Sequence, residues 1–310
     1  MACLIGIFIS AKSQTDQDAI MMTKNNFCTG IMHVGSSWDQ YWEGTFKRNN
    51  LNIGTISTQG ASIMGNYGLK DNLNLLFGLP YLKTKASMGT LHSQQGIQDL
   101  SLWIKWMPVE KDLGNGIISL YTMAGASVPF SNYIADYLPL SIGLKSKTVS
   151  GRLLLDYQLG DFFITASETY TLRGNLQIER NSYYTTNFIL ADHVAMPDVN
   201  VWGFRAGYRT SKWIIEGLFY DMRTLGGFDI TKNNMPFPSN KMNATSAGIN
   251  LKHEIEKVPG LSLTGGINQV VKGRNVGQAT NYNAGVFYIL DFSPKKKKQT
   301  SKEETTTQNK

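Results

Sequence analysis

In the stretch NYGLKDNLNLLFGLPYLKTKAS, from Asn66 to Ser87, the apolar residues Leu73, Leu75, Phe77, Leu79 and Tyr81 fall at every second position. Asn72, Asn74, Gly78 and Pro80 occupy most of the places between them. Successive side chains of a strand point to opposite faces, so a period of two predicts a strand with one oily face. The pattern returns as Leu100, Leu102, Ile104 and Trp106 against Asp99, Ser101, Trp103 and Lys105, and as Val149, Leu153, Leu155 and Tyr157 against Ser150, Arg152 and Asp156. It closes the regular part of the chain with Tyr282, Ala284, Val286, Tyr288, Leu290 and Phe292. Twelve such segments are predicted: 27–37, 54–67, 72–83, 97–107, 117–128, 148–158, 161–173, 198–209, 212–223, 243–253, 261–271 and 282–292. Most approach the ~9 to 11 residues a tilted strand needs to cross a bilayer. Segments 117–128 and 212–223 alternate poorly, which leaves their phase open.

A soluble sandwich and a transmembrane barrel share this periodicity, and the connections separate them. Links at 68–71, 107–116, 159–160, 210–211 and 254–260 are short. The intervening ones, at 38–53, 84–96, 129–147, 174–197, 224–242 and 272–281, are mostly longer. Short turns at one end and long loops at the other describe an outer-membrane barrel. The predicted fold is all-β: a single antiparallel barrel of about twelve strands, with fourteen as the alternative count, short periplasmic turns and long extracellular loops. Tyr67, Tyr81, Trp106, Tyr157, Trp202, Tyr208, Trp213 and Phe292 near strand ends fit interfacial aromatic girdles.

The ends refine this picture. Ala2 to Ala11 is largely apolar and ends in Ala11-Lys12-Ser13 before a polar run, so residues 1–13 read as an export signal cleaved after Ser13, with a start expected slightly upstream. Residues 14–26 are then an N-terminal periplasmic segment, 27–293 the barrel and 294–310 a disordered basic tail. No segment approaches the ~18 to 20 apolar residues of a membrane-spanning helix. The mean hydropathy is −0.21. Of the formal charge of +7, the tail supplies six lysines against two glutamates, so the remainder carries no basic stripe for nucleic acid.

Candidate chemistry is sparse. His33, His92, His193 and His253 have no metal-ligand spacing, and Cys28 reads as a small strand residue. His33 with Ser36 or Ser37 matches no catalytic pattern, so no enzyme activity, metal or cofactor is expected. Charges on predicted strands, Lys83, Lys85, Asp99, Lys105, Arg152, Asp156, Arg205, Glu216 and Lys252, should point inward or sit at the interface, because a basic group facing lipid near mid-membrane costs ~2 to 4 kcal/mol. Pro80 lacks a ladder donor and predicts a bulge that bends the strand or leaves a carbonyl free. Asp99 and Lys105 are expected beside it. Pro80, Asp99, Lys105, Arg152 and Asp156 are therefore the candidate lumen residues.

The stretch YGLKDNLNLLFGLPY and the following GTLHSQQGIQDLSLWIKW resemble the outer-membrane family of the MetA pathway of phenol degradation. The resemblance rests on Tyr67, Gly68, Leu69, Asp71 and Leu73, on Leu79, Pro80 and Tyr81, and on Gly96, Gln98, Asp99, Leu100 and Lys105, with ASVPF inside its span of about 65–130. It implies a transporter of Gram-negative bacteria for small, hydrophobic or aromatic solutes. The glutamine after the cleavage site and the Asn- and Lys-rich texture fit a Bacteroidetes-like member. The expected partners are outer-membrane lipid, a small-molecule solute, and the barrel-assembly machinery through the last strand. A structural or adhesive surface barrel is the alternative, and an outer-membrane enzyme the second.

Overall fold

A computed structural model of the protein describes residues 15–230 and 236–294. The expected export signal, 1–13, lies outside the described residues, as does the basic tail beyond Pro294.

Each of the twelve predicted segments is a strand. They are β1 (Asn26–Trp38), β2 (Ile56–Lys70), β3 (Leu73–Ala86), β4 (Asp99–Leu113), β5 (Gly116–Pro129), β6 (Thr148–Leu159), β7 (Phe162–Arg173), β8 (Asp198–Arg209), β9 (Trp213–Leu225), β10 (Asn243–Glu254), β11 (Leu261–Arg274) and β12 (Thr280–Asp291). Every neighbour in sequence pairs antiparallel with the next. The last strand returns to the first, from Asn26 opposite Asp291 to Ser37 opposite Thr280, so the sheet closes on itself. Closure removes the sheet edges whose unpaired N–H and C=O groups lipid could not satisfy.

The two faces of this wall are inverted relative to a soluble protein. Ile63, Ile104, Leu153, Ile215, Ile249 and Val286, from six different strands, are all exposed. Their inward neighbours Asn74, Lys105, Arg152, Asp156, Arg205 and Glu216 are buried. Only a wall with lipid outside makes this arrangement favourable, and the protein is an outer-membrane β-barrel. Rings near the short turns support the same orientation: Phe162 meets Tyr208 edge-on at 5.9 Å, and Trp213 stacks on His253 at 3.8 Å.

Two expectations need correction. The link expected at 107–116 is mostly strand, since β4 runs on to Leu113 and only Gly114 and Asn115 turn. The register slips between Trp106 and Val109, around Pro108, and the exposed Val109–Leu113 end projects past the barrel rim. Gly114, like Gly160 in the next short turn, has a left-handed backbone that glycine adopts without strain.

The second correction concerns Pro80. Gly78 pairs with Ser101 and Tyr81 with Ile97, so two residues of β3 face three of the neighbouring segment. This is the predicted bulge, but the extra residue belongs to the β4 side. The carbonyl of Pro80 is not free, because Gln98 N–H donates to it at 2.8 Å. Replacing Pro80 with Ala is accordingly expected to shift barrel stability by less than about 1 kcal/mol, read as the midpoint of heat-modifiable gel migration. A large loss would mean that the proline itself holds the bulge.

Candidate functional site

Strands β5 and β9 alternate poorly because apolar residues, Tyr121 and Met123 on β5 and Ile214 on β9, are buried on their inner faces beside polar ones, and for β5 the reason lies in the lumen. The stretch expected to be a periplasmic segment enters the barrel from the short-turn end. Ala19 packs among Tyr121 and Met123 of β5 and Leu154 of β6. Met22, fully buried, packs against Cys28 and Phe287 where β1 meets β12. Tyr121 hydroxyl donates to the Ala19 carbonyl at 3.0 Å. Lys24 N–H donates to Asp71 in the first short turn at 2.9 Å, which fixes where the segment bends into the wall.

Wall cations grip this segment from several sides. Lys105, fully buried, donates from Nζ to the carbonyls of Asp18 at 2.5 Å and Ile20 at 2.8 Å, and to the Asp18 carboxylate at 3.1 Å. Arg152 donates to the Asp16 carbonyl and to its carboxylate at 3.3 Å, while its Nε donates to Thr169 at 2.7 Å. Arg205 donates to the Gln17 carbonyl. Non-helical backbone with unpaired carbonyls is thus satisfied inside the barrel by charged donors, whose hydrogen bonds are stronger than neutral ones.

Other lumen charges pair along the wall. Arg205 forks onto Glu216, with Nε donating at 3.0 Å, and Asn250 Nδ2 donates to the same carboxylate at 2.9 Å. Arg209 bridges to Asp156 at 3.0 Å and lies 4.0 Å from the centre of the Phe163 ring, and Thr165 hydroxyl donates to Asp156. On the loop side of the inserted segment a cavity of about 510 Å³ remains, lined by Met64, Trp103, Arg152, Thr169, Arg205 and Tyr220, with Asp16 and Gln17 at its floor.

The five candidate residues therefore divide. Lys105 and Arg152 hold the segment, and Asp156, four residues along β6 from Arg152, forms a wall ion pair with Arg209. Asp99 lies at the bulge, where it accepts a hydrogen bond from Tyr133 of the 130–147 loop at 2.6 Å. Lys105 is six residues further along β4, opposite Asn74, so it does not sit beside Pro80. Burial and the Asp99 acceptor push the Tyr133 phenol well above its ordinary range, so it stays a donor. Arg209, Asp16 and Asp18 were not singled out from the sequence. His33 shares the outward face with Ile31, Ser36 falls on the other face, and Ser37 is about 13 Å along the strand, so no Ser–His dyad forms there.

The described parts of the long loops pack together. Residues from 130–147, 174–197 and 236–242 share an apolar core of Ala135, Leu176, Tyr183, Val194, Met196 and Phe237, with Tyr183 stacked on Phe237 at 5.3 Å. Arg274 Nε donates to Asp229 at 2.8 Å, tying the 226–242 loop to β11, and these donors hold the Asp229 carboxyl below its ordinary value. A depressed carboxyl stabilises its contact above the unfolded value and loses it as pH falls through the folded one. The tie is expected to persist at neutral and mildly acid pH and to loosen only below about 4, seen as faster hydrogen exchange at Phe228–Ile230. In Asp229→Asn that exchange should lose its pH dependence beyond the intrinsic rate.

No protein-family model and no curated protein matches the chain in sequence. Among solved structures, the barrel is similar to an outer-membrane channel from Pseudomonas putida F1, with a TM-score of 0.72 at 13% identity over 89% of this chain and 100% of that one. The translocator domain of the autotransporter NalP from Neisseria meningitidis gives a TM-score of 0.44 at 12% identity, over 88% and 90% of the two chains. The first likeness is one of fold, and it agrees with the register and burial above: this chain is a closed, twelve-stranded outer-membrane β-barrel.

Proposed function

We propose that the protein is an outer-membrane channel for small solutes, with the lumen as the path and the N-terminal segment as its stopper. The observation that carries this reading is the nature of the obstruction. The short-turn half of the lumen is filled by a peptide that precedes the first strand and is held mainly by side-chain donors to its carbonyls. Such a peptide can withdraw without disturbing any strand pairing. A barrel that served only as a rigid wall needs no such removable filling. The resemblance of residues 65–130 to the phenol-degradation family adds hydrophobic or aromatic molecules as the solute class, and membership of that family is part of the proposal. We further infer that β12, with the exposed Tyr288 and Leu290 near its end and Phe292 just beyond it, is what the barrel-assembly machinery engages.

The ordered loop core favours a second reading, a surface role in which the three packed loops present a fixed outer face. Planar-bilayer conductance separates the two. Solute-dependent currents support the channel, whereas a barrel that stays closed with residues 15–23 deleted leaves only the surface role.

A further inference from the structure

The lumen cations fall into two groups by the source of their counter-ions. Arg205 and Arg209 have carboxylates on the wall, Glu216 and Asp156. Lys105 and Arg152 do not: among the described residues, the carboxylates that ion-pair with them are Asp18 and Asp16 of the inserted segment. Each of these two cations also lies over an aromatic face, Arg152 at 4.7 Å from the Trp103 ring and Lys105 at 5.6 Å from that of Tyr121. The cavity of about 510 Å³ opens next to Arg152, with Met32, Met64 and Tyr220 on its walls.

We propose that Lys105 and Arg152 form a binding site for small organic carboxylates with an apolar or aromatic body, and that Asp16 and Asp18 occupy this site as a tethered competitor. This rests on the reading of the lumen as the solute path. When the segment withdraws, two buried cations lose their counter-ions, and leaving such charges unpaired is costly. An incoming carboxylate replaces what Asp16 and Asp18 supplied, and the guanidinium fork of Arg152 matches its geometry. The body of the solute then lies against Trp103 and the methionines. A neutral molecule of the same shape leaves the cations unpaired and is rejected on that ground.

The test uses the whole protein in detergent and three probes: benzoate, cyclohexanecarboxylate and the neutral benzyl alcohol, with binding read by titration calorimetry. Both carboxylates are expected to bind at least about tenfold more tightly than the alcohol. A tethered competitor acts at a high effective concentration, so Asp16→Asn with Asp18→Asn should tighten benzoate binding by about tenfold or more. Lys105→Met with Arg152→Met should abolish the preference for benzoate over benzyl alcohol. If that pair fails to fold, the Asp16→Asn/Asp18→Asn pair decides, because it alters only the segment. Equal affinity for benzoate and benzyl alcohol, or no tightening in the Asn pair, overturns the proposal. Bilayer recordings with the same probes separate its fate from that of the channel. Carboxylate binding without any current keeps the site and removes the transport reading, while current without carboxylate preference does the reverse.

Discussion

Replacing Lys105 with Met is expected to raise the open probability of the barrel in planar bilayers by about thirtyfold. Lys105 gives the segment hydrogen bonds at the Asp18 carbonyl, the Asp18 carboxylate and the Ile20 carbonyl. A hydrogen bond involving a charged group contributes about 1.5 to 3 kcal/mol, so losing this set shifts the balance between inserted and withdrawn states by at least about 2 kcal/mol. That energy corresponds to a factor of about 30 in a two-state equilibrium. Met preserves length and apolar contact with Tyr121, so the wall should keep its shape. Deleting residues 15–23 is the limiting case and should leave the path open throughout. Unchanged open probability in both variants would show that the segment is not what blocks the lumen.

A second substitution should strike the wall rather than the stopper. Arg205→Met strips Glu216, only 4% exposed, of its guanidinium partner. Breaking a buried pair by removing one member costs about 3 to 5 kcal/mol, and the low end applies because Asn250 still donates to the carboxylate. Heat-modifiable migration should therefore collapse at a markedly lower temperature or urea concentration. Arg205→Met combined with Glu216→Leu should recover most of the loss, since no orphaned charge remains. A double variant as unstable as the single one would mean that the Arg205 contact to the Gln17 carbonyl, rather than the ion pair, stabilises the wall.

Strands were legible because their period is local: Leu102, Ile104 and Trp106 announce an outward face without reference to any partner. The bulge at Pro80 was legible for the same reason, as a missing donor. What local pattern could not convey was distance along a strand. Asp99 and Lys105 share a face, but six residues carry them about 20 Å apart, one to the loop end and one to the stopper. The segment itself escaped notice because Thr15–Ile20 reads as an ordinary polar leader, and its partners Lys105, Arg152 and Arg205 lie far along the chain. A clue was available in the two strands that failed to alternate. Tyr121 and Met123 on an inner face, where water or charge was expected, imply something apolar inside to cover them.

The seam between first and last strands has a practical consequence. Asn26 and Asp291 are direct ladder partners, so the two positions can be bridged by a short linker without altering the wall. New ends opened in the two-residue turn at Gly160–Asp161 would yield a circular permutant whose strands all keep their neighbours. In such a permutant the stopper peptide is no longer covalently continuous with β1 and can be added back as a free synthetic peptide. Its dissociation constant would then report directly the free energy with which the lumen holds it, a quantity that the tethered arrangement conceals.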